Sequence, residues 1–171
     1  MRPLTVEQGK TSKTIVDLSP SAIGPALQLN NAHAKETSLL DEKGLATLIG
    51  KAFYARGIDD GATALLIALD HHAVYDNPNF EWFKIHSDGF VYIDRVIVAK
   101  SARGLGIARL LYEDLFSAVR ASGHTRVVCE VNLDPPNAAS DAFHAAMGFD
   151  AIGQGTIHEG AKTVRYFERI L

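Results

Sequence analysis

One cysteine, one tryptophan and two methionines are all that this 171-residue chain holds of those residue types. A lone Cys129 cannot close an intramolecular disulfide, so no disulfide framework supports the fold, and a reducing cytoplasm is the expected compartment. Net charge is small as well. Seventeen Lys and Arg against twenty Asp and Glu leave −3, which disfavours a general nucleic-acid surface, and no nucleic-acid partner is expected. No apolar run approaches the length that spans a membrane, and the segment Met1-Arg2-Pro3-Leu4-Thr5 lacks the apolar core of a signal peptide, so no membrane association is expected. The chain has no Gly-x-Ser-x-Gly elbow, which disfavours a serine hydrolase, and no internal repeat.

What is present suffices for a sizeable core. Hydrophobic residues make up 47% of the chain and charged residues 22%, the balance of an ordinary soluble globular protein. Residues 14–171 are expected to form one domain, and the polar, aperiodic segment 1–13 reads as a flexible N-terminal tail. Ser19-Pro20 opens a helix that runs to about Asn31, and Asp41 caps a second over residues 42–51. Residues 62–69 form a buried strand, with Phe53-Tyr54-Ala55 as its partner. Asp76-Asn77-Pro78-Asn79 breaks the pattern before an aromatic cluster of Phe80, Trp82 and Phe83. Residues 90–98 read as a strand, 105–121 as a helix ended by Gly123, and 126–131 as a strand parallel to the first. Pro135-Pro136-Asn137 opens a helix that Gly148 closes, and residues 149–157 and 162–170 form a terminal hairpin around His158-Glu159-Gly160.

The most informative stretch is the passage from strand to helix at Arg103-Gly104-Leu105-Gly106-Ile107-Ala108. Two glycines let the backbone approach a ligand closely, and the unpaired N–H groups of a first helical turn favour an anion. The dinucleotide fingerprint fails because Arg109 stands where the third glycine belongs, and residues 104–111 contain no Gly-Lys-Ser/Thr triplet of a P-loop.

The order Val98, a four-residue spacer, Arg103-Gly104-x-Gly106-x-Ala108, helix, strand, Asn137-x-x-Ser140-x-x-Phe143 and Met147-Gly148-Phe149 resembles the GNAT family of N-acetyltransferases. The resemblance is strong over residues 90–151 and looser elsewhere. It implies a mixed α/β fold, the GNAT acyl-CoA N-acyltransferase fold, with a central mixed, twisted sheet flanked by helices. It implies acetyl-CoA as the acyl donor and direct attack by an amine. Residues 103–108 then wrap the cofactor pyrophosphate, with Arg103 adding a direct ionic contact, Val96, Ile97 and Val98 bind the pantetheine arm, and the helix bearing Asn137, Ser140 and Phe143 lies beside the thiol. One departure is Ser101, where the family often has Gln or Arg.

His144 stands where the family commonly carries a tyrosine that protonates the departing thiolate, and is the candidate general acid. Tyr92 and Asp94, alternating onto one strand face with Val96 and Val98, are candidates for the base; Arg95 is expected to point the opposite way. The resemblance places the acceptor pocket near the connection holding Asn31, His33 and Glu36, with Asp76 and Trp82 as candidates for its mouth and Asn132 as a contact to acceptor or water. The acceptor itself is left open between a small-molecule amine and a peptide, and a homodimer is left open too. Asp70-His71-His72 is read as placing its histidines on opposite sides of a strand, so no metal is expected. Two rivals stay open: a non-catalytic acyl-CoA-binding sensor or interaction module, and a scaffold without cofactor.

Overall fold

The structure, a computed structural model, describes residues 5–8 and 11–171. Along the chain the strands are β1 (Thr5–Gln8), β2 (Thr11–Thr14), β3 (Val16–Asp17), β4 (Tyr54–Ile58), β5 (Ala64–Asp70), β6 (Val91–Val98), β7 (Arg126–Asp134), β8 (Asp150–Ile157) and β9 (Lys162–Ile170). The helices are α1 (Ile23–Ala32), α2 (Glu42–Lys51), α3 (Pro78–His86), α4 (Ile107–Ala121) and α5 (Ala138–Ala146). Within the segment read as a tail, β1 pairs antiparallel with β2; residues 1–4, 9 and 10 lie outside the described residues. Among the described residues seven strands, β3 to β9, make a mixed sheet. No helix among them is long and apolar enough to cross a membrane.

The chain divides into two compact units, each assembled from two segments. The first comprises the residues up to Leu69 together with Ile93–Ala118. Its strands follow the order β3-β4-β5-β6, with β6 entering this unit at Ile93. β4 and β5 pair antiparallel from Tyr54↔Ala68 to Ile58↔Ala64, which bears out the predicted partnership. Ala64 to Leu69 are all fully buried, so the strand reads as a continuous apolar run instead of an alternation. Asp41 caps α2, its carboxylate accepting the Gly44 N–H at 2.6 Å. Ser19 makes no cap bond; a single tight turn over Pro20–Ala22 feeds α1.

α4 is tied to β4 by a buried carboxylate. Asp114 accepts the Tyr54 hydroxyl at 2.8 Å and the Arg56 guanidinium at 2.9 Å, and Arg56 also reaches Asp17 at 2.8 Å. Burial, followed by this bond to Asp114, raises the Tyr54 phenol above its ordinary range.

The second unit comprises Asp70–Tyr92 and Val119–Leu171, with strands in the order β6-β7-β9-β8. β6 runs parallel to β7 at Val91↔Val127 and Tyr92↔Val128, and β7–β9 and β8–β9 are antiparallel, as the crossover and the terminal hairpin predict. Gly123 takes φ +85° just beyond α4. The structure corrects the reading of 76–79 as a plain break. Asn77 caps α3 by accepting the N–H groups of Asn79 and Phe80, and Pro78 fills the first helical position, where its missing N–H costs no bond. α3 buries Phe80 and Phe83 against Phe90 and Tyr92. Trp82 stacks on Tyr166 at 4.0 Å between ring centres. It lies over Gly153, where a Cβ would come within 2.7 Å of the indole.

Candidate functional site

The glycine loop lies in the first unit. β6 alternates there: Asp94, Val96 and Val98 are half-buried, while Ile93, Arg95 and Ile97 are buried. The Ala99 N–H donates to the Thr63 carbonyl at 2.8 Å, a tight turn covers Lys100–Ala102, and the chain reaches Arg103, exposed, with its Nε 3.4 Å from the Val98 carbonyl. Gly104 and Gly106 take φ +76° and +75°, and α4 starts at the next residue. A Cβ at either glycine would meet nothing within 4 Å. Glycine is therefore required by the left-handed backbone and not by crowding from the protein. The space over the loop is open to a ligand, and the first intrahelical bond, Leu110 N–H to Gly106 carbonyl, leaves the preceding donors of the turn outside the helical ladder. Buried Ile107 and half-buried Ala108 fix the helix start beneath it. This donor set suits a phosphate, which needs backbone N–H groups and no particular side chain.

The same unit holds a buried polar network around Asp94. The side chains of Asp94 and Arg95 are 3% and 6% exposed, and Arg95 Nε donates to Asp94 Oδ2 at 2.7 Å. Arg95 alternates in burial with Asp94, in keeping with the expected opposite faces, and yet its guanidinium reaches that carboxylate. Successive residues do leave opposite strand faces, but a guanidinium on three methylenes folds back far enough to bond its neighbour. Arg95 Nη1 also donates to Asn30 Oδ1 at 2.7 Å, and Asn30 Nδ2 donates to the Ser38 carbonyl at 2.8 Å and to Asn31 Oδ1 at 3.0 Å. Asn31 in turn clasps Leu40, donating to its carbonyl and accepting its N–H. Of the acceptor-side candidates, Asn31 is thus joined to Asp94 through Asn30 and Arg95, Glu36 is exposed, and buried His33 donates from Nδ1 to the Leu29 carbonyl at 3.0 Å.

In the second unit Tyr92 is fully buried and its hydroxyl donates to Glu130 Oε1 at 2.9 Å. Asn79 Nδ2 donates to the same oxygen at 3.0 Å, and Asn79 Oδ1 accepts the Tyr166 hydroxyl at 3.0 Å. Burial and then the charge of Glu130 push the Tyr166 phenol up to about 12. Asn79 and Tyr166 are polar members of this network that the sequence did not single out. Trp82 packs on Tyr166, and Asp76 is exposed.

His144 lies on α5, 4% exposed, with its ring against Phe143, Phe149 and Phe167. Its Nδ1 donates to the Ser140 carbonyl at 2.7 Å, with the Ser140 hydroxyl 3.3 Å away. Burial lowers its pKa despite that bond and the charge of Asp141. The ring is therefore neutral near pH 7 with its proton on Nδ1, and Nε2 carries the lone pair. Asn137 Oδ1 caps α5 by accepting the Ser140 N–H at 3.2 Å, and the Asn132 carbonyl, at an irregularity in β7, accepts the Asn137 N–H at 3.3 Å. Phe143 is half-buried. Cys129 is buried and burial pushes its thiol up, which suits a core residue.

The reading of residues 70–72 as strand does not hold. β5 ends at Asp70, so strand alternation stops there, and one donor atom from each of Asp70, His71 and His72 lies within 4.8 Å of the others.

Residues 72–149 match the model of the acetyltransferase (GNAT) family. No curated protein matches by sequence. Among solved structures, the ribosomal-protein-S18-alanine N-acetyltransferase from Escherichia coli superposes with a TM-score of 0.68 at 18% identity, covering 92% of this chain and 93% of its own. Ard1 from Thermoplasma volcanium gives 0.71 at 16% identity, covering 93% and 97%. Chaetomium thermophilum Naa20, in complex with a bisubstrate analogue, gives 0.69 at 18%, covering 92% and 86%. At such identities the structural likeness establishes the fold, and the family match adds the sequence pattern of its central part. Residues 72–149 thus match the acetyltransferase (GNAT) family model, and the chain has the fold of these acetyltransferase structures.

Proposed function

We propose that this chain transfers the acetyl group of acetyl-CoA to an amine of a small molecule or a peptide by direct attack, with no covalent enzyme intermediate. The observation that carries the reading is the loop: two glycines held at positive φ, open above, and followed at once by the first turn of α4. When bound, acetyl-CoA supplies the thioester carbonyl that the amine attacks. Gly104, Leu105, Gly106, Ile107 and Ala108 offer backbone donors to its pyrophosphate, Arg103 adds a cation at the exposed loop mouth, and Val96, Ile97 and Val98 offer backbone groups to the pantetheine arm. Asn137 and Ser140 shape the N-terminus of α5, and Phe143 contributes apolar surface.

His144 acts at Nε2. A neutral imidazole with Nδ1–H held by Ser140 cannot begin as an acid, so it first takes the proton that the attacking amine loses and then gives it to the leaving sulfur. The incoming amine must already be the free base. Tyr92 and Asp94 take positioning roles: Tyr92 holds Glu130, and Asp94 holds Arg95 against the connection that follows α1. Asn31, His33, Glu36, Asp76, Trp82 and Asn132 stay as acceptor-side candidates, and a cytoplasmic location accords with the single buried thiol.

The test is release of CoA thiol from acetyl-CoA with a panel of amines and peptides bearing free N-termini. Acceptor-dependent release supports the enzyme. Saturable acetyl-CoA binding with no release for any acceptor would instead establish a sensor, and no thermal stabilisation at millimolar acetyl-CoA would remove the cofactor from the account; at a hundredfold over its Kd a true ligand adds about 2.7 kcal/mol.

A further inference from the structure

We propose that Asp70, His71 and His72 bind a divalent transition-metal ion of the zinc or cobalt class, at a site independent of acetyl transfer. The sequence would place these three side chains on alternate faces if the strand continued. It does not: β5 stops at Asp70, the His71 N–H bonds the Phe90 carbonyl at 3.1 Å, and the His72 N–H turns back onto Asp70 Oδ1 at 2.8 Å. The turn brings the two imidazoles together, ring centres 3.9 Å apart. One donor atom of each of the three residues falls within 4.8 Å of the others.

Two further observations point to a cation. His71 Nδ1 is buried and makes no hydrogen bond; its one close partner is Asp70 Oδ1 at 3.3 Å, an ion pair only when the imidazole is protonated. A nitrogen and a carboxylate oxygen held at that separation without a hydrogen bond have the spacing of two ligands on one ion. Metal–ligand arms of about 2.0–2.2 Å at a tetrahedral angle put neighbouring donor atoms roughly 3.3–3.6 Å apart. The other oxygen of the same carboxylate, Oδ2, is engaged by His124 Nε2 at 2.6 Å. Ligating carboxylates are themselves hydrogen-bonded around metals, which here fixes which oxygen faces the ion. His124 also stands edge-on to His71, ring centres 5.5 Å apart.

Two imidazoles and one carboxylate select a borderline divalent ion over magnesium or calcium, which take oxygen ligands. His72 is exposed, so the remaining coordination positions face water. None of these four residues has a part in the proposed acetyl transfer. The ion would clip the turn after β5 and, through His124, the segment leading into β7.

The experiment is calorimetric titration of the untagged, metal-stripped full chain with ZnCl2 and with CoCl2. Saturable binding of one ion per chain is expected. His72→Gln, at an exposed position, weakens it at least tenfold, and His71→Gln does the same. His158→Gln, in the β8–β9 turn and outside the cluster, leaves it unchanged and reports on adventitious histidine binding. The absence of saturable binding up to millimolar ion, or equal affinity in wild type and His72→Gln, would overturn the assignment. Should His71→Gln lower the thermal midpoint of the metal-free chain, His72→Gln alone decides.

Discussion

Gly104→Ala tests the phosphate loop most directly. Gly104 sits at φ +76°, and a Cβ there would touch nothing within 4 Å. The substitution therefore creates no clash with the protein. What it adds is the steric cost of a left-handed residue, about 1–2 kcal/mol, offset by about 0.4–1 kcal/mol from the stiffer unfolded chain. A net loss near 1 kcal/mol lowers Tm by about 2–4 °C in a chain of this size. The ligand suffers more. If the loop relaxes by turning even one backbone donor away from the pyrophosphate, the lost charge-assisted bond is worth about 1.5–3 kcal/mol, or roughly 10- to 150-fold in Kd. Gly123→Ala is the matched control: φ +85°, likewise nothing within 4 Å, but placed at the far end of α4. It should show the same small fall in Tm with an unchanged Kd for CoA by calorimetry. A Gly104→Ala protein that binds CoA within twofold of wild type, or a Gly123→Ala protein weakened to the same degree, would refute the reasoning.

Arg95→Met leaves the Asp94 carboxylate buried without its guanidinium and should lose about 3–5 kcal/mol in urea unfolding, with Asp94→Leu in the same chain recovering part of it. His144 gives a pH signature: its folded pKa lies below the 6.5 of the unfolded imidazole, so the unfolded chain binds the extra proton and stability falls as pH drops from about 6.5 through the lowered folded value. His144→Phe should remove this component, so the wild-type-minus-variant stability difference falls as pH drops across that window; a difference independent of pH counts against a buried neutral ring. Gly153→Ala drives a Cβ to 2.7 Å from Trp82 and should cost about 1–3 kcal/mol, most of it regained by Trp82→Leu in the same chain.

The parts of the fold that were legible in the sequence are those dictated locally. Gly104, Gly106 and Gly123 announce left-handed backbone, Asp41 announces a cap, and the apolar run ending at Leu69 announces a central strand. α3 was hidden because Asn77-Pro78 is equally a turn and a cap followed by a first-turn proline, and only the packing of Phe80 and Phe83 decides between them. The Asp94–Arg95 bond was not legible because strand alternation describes where Cβ atoms point, not how far a guanidinium reaches. No local rule could have assembled Glu130 with Asn79, Tyr92 and Tyr166, since those residues meet only when α3, β6, β7 and β9 come together. The histidine pair after β5 turned on one residue, the point at which the strand stops.

Asp114 lies seven positions beyond Ile107, about two turns along the helix that the glycine loop begins. Its bonds to Tyr54 and Arg56 fix α4 against sliding: a shift of one turn, about 5.4 Å, would strip the carboxylate of both partners and leave it bare in the interior. The helix therefore has one register on β4, and the donors at its tip are aimed before any ligand arrives. The ordering of the loop is completed during folding, so a phosphate does not have to supply it on binding. On the proposed function, affinity at the loop should then be sensitive to β4, and a change at Tyr54 or Arg56, neither of which belongs to the loop, should act on the ligand by loosening the rod that carries it.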